Sequence, residues 1–82
     1  MSAARPDRRA GSLRKRSFAI AGHRTSVALE PEFWTVLEKE ARRLGRTLSA
    51  FVAQIDATRE TRPLASALRV AALVAAMSAA KG

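Results

Sequence analysis

The chain has 82 residues, no cysteine and a formal net charge of +8, with 15 Lys and Arg against 7 Asp and Glu. That length allows one domain at most, and a core so small is marginal unless a disulfide, a metal or oligomerisation supports it. Cysteine is absent and His23 is the sole histidine, which excludes disulfides and an assembled zinc site and leaves self-association as the common remaining route.

The charge is unevenly spread. Residues 1–24 hold seven Lys and Arg with one acid, Asp7, whereas residues 25–82 hold eight with six. A nearly neutral body therefore carries a strongly basic start. Such asymmetry points to a polyanion: nucleic acid first, an anionic membrane surface second. An Arg-rich start also fits an organellar transit peptide, but Pro6 and Gly11 interrupt the amphipathic helix that a presequence needs. Phe18-Ala19-Ile20-Ala21 is too short a run for a secretory signal. The longest apolar segment, Leu64 to Ala80, has 17 residues with Arg69 inside it, short of the ~20 that span a bilayer. A cytoplasmic protein with no membrane partner is the expectation.

Residues 1–16 mix Pro, Gly, Ser and Arg without periodicity and read as a disordered basic arm. Arg14, Lys15 and Arg16, with Arg5, Arg8 and Arg9, serve there either as a solvated tail or as contacts to phosphates or a minor groove. Ser17 to Ala21 offers an additional short strand, which a Gly22-His23 turn would fold back as a hairpin. Residues 24–29 are the clearer strand. Thr25, Val27 and Leu29 fall on one face and Arg24, Ser26 and Ala28 on the other. No strong partner for it is evident in its own chain.

Pro31 then sets helical φ in a first turn, flanked by Glu30 and Glu32, which suit the helix N-terminal dipole. The first helix runs from about Pro31 to Leu44. Phe33, Leu37, Ala41 and Leu44 form its apolar stripe, widened by Trp34 and Val36, and Gly45 ends it. Both aromatics read as core, since no exposed aromatic series for stacking bases exists. Thr47 is the N-cap of a second helix whose buried stripe is Leu48, Phe51, Val52 and Ile55. Pro63 opens a third helix running to about Ala79. Its wheel is apolar nearly all round, which implies burial on several sides. Either it packs on its own protomer and a dimer mate, or helix 64–79 adds a tetramer seam.

A strand, a helix ending in Gly and a helix capped by Thr follow each other in the order of a ribbon-helix-helix domain. Arg24-Thr25-Ser26-Val27-Ala28-Leu29-Glu30-Pro31-Glu32-Phe33-Trp34 resembles that superfamily's strand and first helix start, and Leu44-Gly45-Arg46-Thr47-Leu48-Ser49 its inter-helix turn. Gly22-His23-Arg24-Thr25-Ser26 and Leu64-Ala65-Ser66-Ala67-Leu68-Arg69-Val70 are similar to a small bacterial subgroup of DNA-binding proteins within it. The resemblance spans about residues 17–74. It implies a mainly α fold with one short strand, an intertwined homodimer with a two-stranded intermolecular ribbon, and a third C-terminal helix. The organisation it suggests is an arm at 1–16, a ribbon-helix-helix core at 17–60 and the apolar helix at 61–82.

The family's roles, carried onto this chain, make Arg24, Ser26 and Ala28 the base readers in a DNA major groove. Arg suits guanine O6 and N7, Ser several base edges, and Ala a thymine methyl. Ala28 stands where the superfamily often has a polar residue, which leaves Arg24 to carry most direct readout. Arg46, Thr47, Leu48 and Ser49, at the amino end of the second helix, would hold phosphate. Val27, Leu29, Phe33, Leu37, Phe51 and Ile55 would build the dimer.

The implied function is a sequence-specific double-stranded DNA-binding regulator, a repressor, with no cofactor and no small-molecule substrate. The alternative is an antitoxin-like module that binds a partner protein. An enzyme is not expected: Glu38, Glu40, Asp56 and Glu60 fall on helix faces that solvent would cover, and the lone His23 sits in a turn.

Overall fold

The computed structural model describes residues 12–81. Arg5, Arg8 and Arg9 of the expected arm lie outside that range. Five elements follow in order: β1 (Arg14–Ile20), β2 (His23–Leu29), α1 (Pro31–Arg43), α2 (Leu48–Thr58) and α3 (Leu64–Lys81).

The expectation of one short strand is corrected. Two strands form, and β2 has a partner in its own chain: β1 pairs with it antiparallel from Arg14 opposite Leu29 to Ile20 opposite His23. The physical reason lies in the turn and in the inner face. Ala21 and Gly22 take φ of 52° and 83°, and positive φ at both central residues is the type I′ geometry that suits tight hairpins. Phe18 and Ile20 then bury beside Val27 and Leu29, which repays the strand's ordering. Arg14, Lys15 and Arg16 consequently stand in a strand rather than in a disordered arm.

α1 begins at Pro31 and reaches Arg43, with Leu44 as its C-cap rather than its last residue. Beyond it the Gly45 N–H donates to the Arg42 carbonyl and the Arg46 N–H to the Ala41 carbonyl, at 3.0 and 2.9 Å. That is a Schellman closure, and Gly45 at φ +71° is the left-handed residue it requires. α2 opens on Thr47, whose hydroxyl accepts from the Ala50 N–H at 3.0 Å. α3 opens after Pro63, whose carbonyl takes the Ala67 N–H at 2.9 Å.

The helices cover the inner face of the hairpin. Leu29, Leu37, Val52 and Leu68, one from each of β2, α1, α2 and α3, are the largest fully enclosed side chains. On α1 the buried stripe is Trp34, Leu37 and Ala41. It begins one residue beyond Phe33, which is half-buried, and Leu44 is exposed. On α2 Phe51 and Val52 are buried, with Leu48 and Ile55 half-buried against the core. Four of the six residues expected at a dimer interface, Val27, Leu29, Leu37 and Phe51, are thus core within a single chain.

α3 divides its apolar residues. Leu64, Ala67, Leu68 and Ala72 are buried, whereas Leu73, Val74 and Met77 stay more than half exposed, with Val70 beside them. No helix among the described residues is long and apolar enough to cross a membrane.

Candidate nucleic-acid interface

The cross-strand register sorts the hairpin into two faces. Phe18, Ile20, Val27 and Leu29 point into the core. Lys15, Ser17 and Ala19 of β1 share the opposite face with Arg24, Ser26 and Ala28 of β2, through the pairs Lys15–Ala28, Ser17–Ser26 and Ala19–Arg24. All six are exposed except Ala28, which is half-buried. At the centre of the face the Ser17 and Ser26 hydroxyls lie 2.9 Å apart in a hydrogen bond. The two-residue turn makes Ile20 and His23 a hydrogen-bonded pair, so by alternation Ser17 and Ser26 form a non-hydrogen-bonded pair whose side chains approach closely.

The result is a low surface of Ser and Ala side chains with one cation near each end, Lys15 on β1 and Arg24 on β2. Four residues of rise separate these cations along the strands, about 13 Å. Small side chains between long cationic ones allow backbone to approach a polyanion closely. The sequence alone offers Ser17 to Ala21 as a strand folded back on β2 but leaves Arg14, Lys15 and Arg16 in the arm, so it does not place Lys15 on this face. The strand's signal was the alternation of Ser17, Phe18, Ala19 and Ile20, obscured by the three cations in front of it.

Four other arginines are bonded within the body of the fold. Arg16 bonds Glu38 on α1 at 2.6 Å, and its guanidinium lies 5.1 Å from the Trp34 ring centroid. Arg69 reaches Glu30 at 3.3 Å and stacks 5.8 Å from the Phe33 centroid. Arg59 bonds Asp56 at 2.7 Å. Arg43 donates to both Glu40 oxygens, at 3.0 and 2.7 Å, and these hydrogen bonds hold the Glu40 carboxyl below its ordinary value. Lys15 and Arg24, by contrast, bond no acid among the described residues.

Trp34 fixes the basic end of the hairpin. It is buried, as a core aromatic should be, and its indole N–H donates to the Arg14 carbonyl at 2.8 Å. Backbone at residue 14 and side chain at residue 16 are therefore both tied to α1. Lys15, between them, is directed to the outer face.

The second expected site, at the start of α2, is separate. The Thr47 hydroxyl already satisfies the Ala50 amide, and the Phe51 amide bonds the Thr47 carbonyl. Among the amides of that first turn, those of Thr47, Leu48 and Ser49 remain available to an anion. Arg46 donates to Gln54 on α2 and makes no bond to the hairpin face. The carboxylates Glu38, Glu40 and Asp56 are used in ion pairs on helix surfaces, and no group of His, Cys, Asp or Glu among the described residues could hold a metal ion.

No curated protein and no solved structure matches the chain. A family model, that of the ribbon-helix-helix domain, matches residues 13–76, a span that takes in β1 as well as β2 and most of α3. The matched span covers the hairpin, the Schellman turn and the Thr-capped second helix, and the chain belongs to the ribbon-helix-helix family, whose members are in general DNA-binding regulators that act as dimers.

Proposed function

We propose that the protein is a homodimeric, sequence-specific double-stranded DNA-binding regulator of the cytoplasm, a repressor, that enters the major groove with its hairpin face. The observation that carries this reading is Arg24, exposed and bonded to no acid among the described residues, on a face whose other side chains are Ser and Ala apart from Lys15 at its far end. Arg24 reads guanine, Ser26 and Ala28 meet neighbouring base edges, and the amides of Thr47, Leu48 and Ser49 with Arg46 take phosphate.

The dimer forms across the other edge of β2. Among the described residues the sheet stops at two strands, so that edge has no strand partner. Arg24, Ser26 and Ala28 belong to the pairs that do not bond to β1, so their N–H and C=O groups point to the free edge. Antiparallel pairing of two such edges is symmetric about a twofold axis and satisfies both chains at once.

Fluorescence anisotropy on genomic fragments at several salt concentrations tests this. Wild type binds a subset of fragments with affinity falling steeply as salt rises. Arg24→Ala loses discrimination among them by about 1–3 kcal/mol, roughly 5- to 150-fold. Salt-insensitive binding, or a variant indistinguishable from wild type, overturns the reading.

A second reading, a protein-interaction module of the antitoxin kind, is favoured by one observation: Leu73, Val74 and Met77 of α3 stand in solvent. The same stripe would serve a tetramer seam along helix 64–79. Light scattering of the purified protein separates these. A tetrameric mass supports the seam, whereas a dimer that co-purifies with a second polypeptide supports the module.

A further inference from the structure

The family's ribbon needs one strand from each chain, yet this chain brings two. β1 must therefore occupy some position when β2 meets its mate, and strand spacing determines where. We propose that β1 is a phosphate clamp, with Lys15 gripping the sugar-phosphate backbone on the wall of the groove while β2 reads the floor. This rests on the dimeric DNA-binding reading above and adds a contact from the strand that flanks the two-stranded ribbon.

Pairing two β2 edges gives a four-stranded sheet in the order β1, β2, partner β2, partner β1. Neighbouring strands lie about 4.8 Å apart, so each β2 axis falls about 2.4 Å from the twofold axis and each β1 axis about 7 Å from it. A major groove is about 12 Å wide, or about 6 Å from its midline to each wall. The two β2 strands fit inside. The two β1 strands do not, and they come to rest over the phosphates that line the groove.

β1 carries the right side chains for that position. Lys15 is the only cation on its outer face, where Ser17 and Ala19 accompany it. A long, flexible ammonium side chain suits a phosphate at the edge, whereas Ser17 is too short to reach a base from there. Ser17 instead holds the Ser26 hydroxyl at 2.9 Å and so orients a reading residue from the flank.

The two cations beside Lys15 serve its placement. Arg16 turns inward to Glu38 and Trp34, and the Arg14 carbonyl is held by the Trp34 indole. These ties lie on both sides of Lys15 in sequence, so its backbone is fixed before DNA arrives and little ordering remains to be done on binding.

The experiment is a salt titration of full-length wild type, Lys15→Ala and Arg24→Ala on one preferred duplex and on a panel of its single-base variants. Each Lys15 removed from the dimer removes one phosphate contact, so the slope of log affinity against log salt falls by about 1.8 in Lys15→Ala. Between 50 and 200 mM salt, wild type then loses about twelvefold more affinity than the variant. The ranking of the single-base variants stays as in wild type. Arg24→Ala supplies the contrast, because it alters that ranking.

A Lys15→Ala protein that alters the ranking overturns the clamp, since Lys15 would then read bases. A slope equal to wild type, with Arg24→Ala still impaired, also overturns it while leaving the DNA-binding reading intact. If wild type binds no duplex, the DNA-binding reading fails and the clamp fails with it. If wild type binds but Arg24→Ala ranks the panel as wild type does, the base-reading role of Arg24 fails and the Lys15→Ala slope alone decides the clamp. Circular dichroism of Lys15→Ala should match wild type, because the side chain is exposed and bonded to nothing within the described fold.

Discussion

The inner and outer faces of the hairpin differ by a shift of one residue along each strand, and that shift separates folding from recognition. Phe18, Ile20, Val27 and Leu29 are almost wholly enclosed. Their sequence neighbours Ser17, Ala19 and Ser26 are exposed, and Ala28 is half-buried. Cations follow this division only where a partner is in reach. Arg16, on the inner side, is held by Glu38 and Trp34, whereas Lys15 and Arg24 on the outer side, and Arg14 at the exposed start of β1, bond no acid among the described residues. Net charge is therefore a poor guide to which cation meets a polyanion. Strand parity, which is fixed by the pleat, is a better one.

Substitutions that respect or violate this division should separate stability from binding. The largest effect belongs to the inner face. Leu29 is fully buried where β2 meets the helices, and Leu29→Ala should cost about 2–5 kcal/mol through lost burial and an unfilled cavity. Urea denaturation monitored by far-UV circular dichroism checks it. Arg24→Ala, five residues earlier on the same strand, should leave the urea midpoint unchanged within error while impairing DNA discrimination. If both substitutions shift the midpoint alike, the two faces are not independent.

Trp34 links the faces and gives the next effect. Trp34→Phe keeps an aromatic ring in the core but removes the donor to the Arg14 carbonyl, a loss of about 0.5–1.5 kcal/mol for the hydrogen bond. The change should be local. Amide exchange should quicken at Arg14 and Arg16, whose N–H groups face β2, while the amides of α2 keep their protection relative to global unfolding. Unchanged exchange at Arg14 and Arg16 would mean that the ladder to β2 and the ion pair to Glu38 secure the strand without the indole.

What could be read from the sequence follows the same division between faces. Helical order was legible because its signals are local: Pro31 at a helix start, Gly45 at a helix end, Thr47 at a cap, and apolar residues at spacings of three and four. The face of β2 was legible too, since alternation over Arg24 to Leu29 is unbroken. β1 was legible only in part: Ser17 to Ala21 could be offered as a strand, but its first half could not, because the decisive partners lie at a distance. Arg14, Lys15 and Arg16 look like a solvated charge run until Glu38 and Trp34, more than a dozen residues on, are placed opposite them. Only Phe18 and Ile20 mark the strand as apolar, too few for periodicity to decide. The stripe of α1 begins one residue beyond Phe33 for a related reason. Helical spacing admits either Phe33 or Trp34 to the stripe, and the fold buries Trp34, which meets Phe18 and the Arg14 carbonyl on β1.

The smallest expected effect concerns the turn that holds the two faces in register. Ala21 adopts φ of 52° without being Gly or Asn, in a region where a Cβ crowds the following carbonyl oxygen. Ala21→Asn would create the Asn-Gly pair that a type I′ hairpin favours, because Asn tolerates the left-handed conformation better. A gain of roughly 0.5–1 kcal/mol in stability is expected from the relief of that strain. It should appear as a higher urea midpoint with an unchanged slope, the signature of a stability change without altered compactness. Because the turn lies beyond the last cross-strand pair, Ile20 with His23, the register and both faces should be preserved. DNA affinity and its salt slope should then match wild type. A stabilised protein with altered DNA ranking would instead show that the wild-type turn holds Arg24 in a position that a relaxed turn does not reproduce, and the independence of the two faces would end at their shared tip.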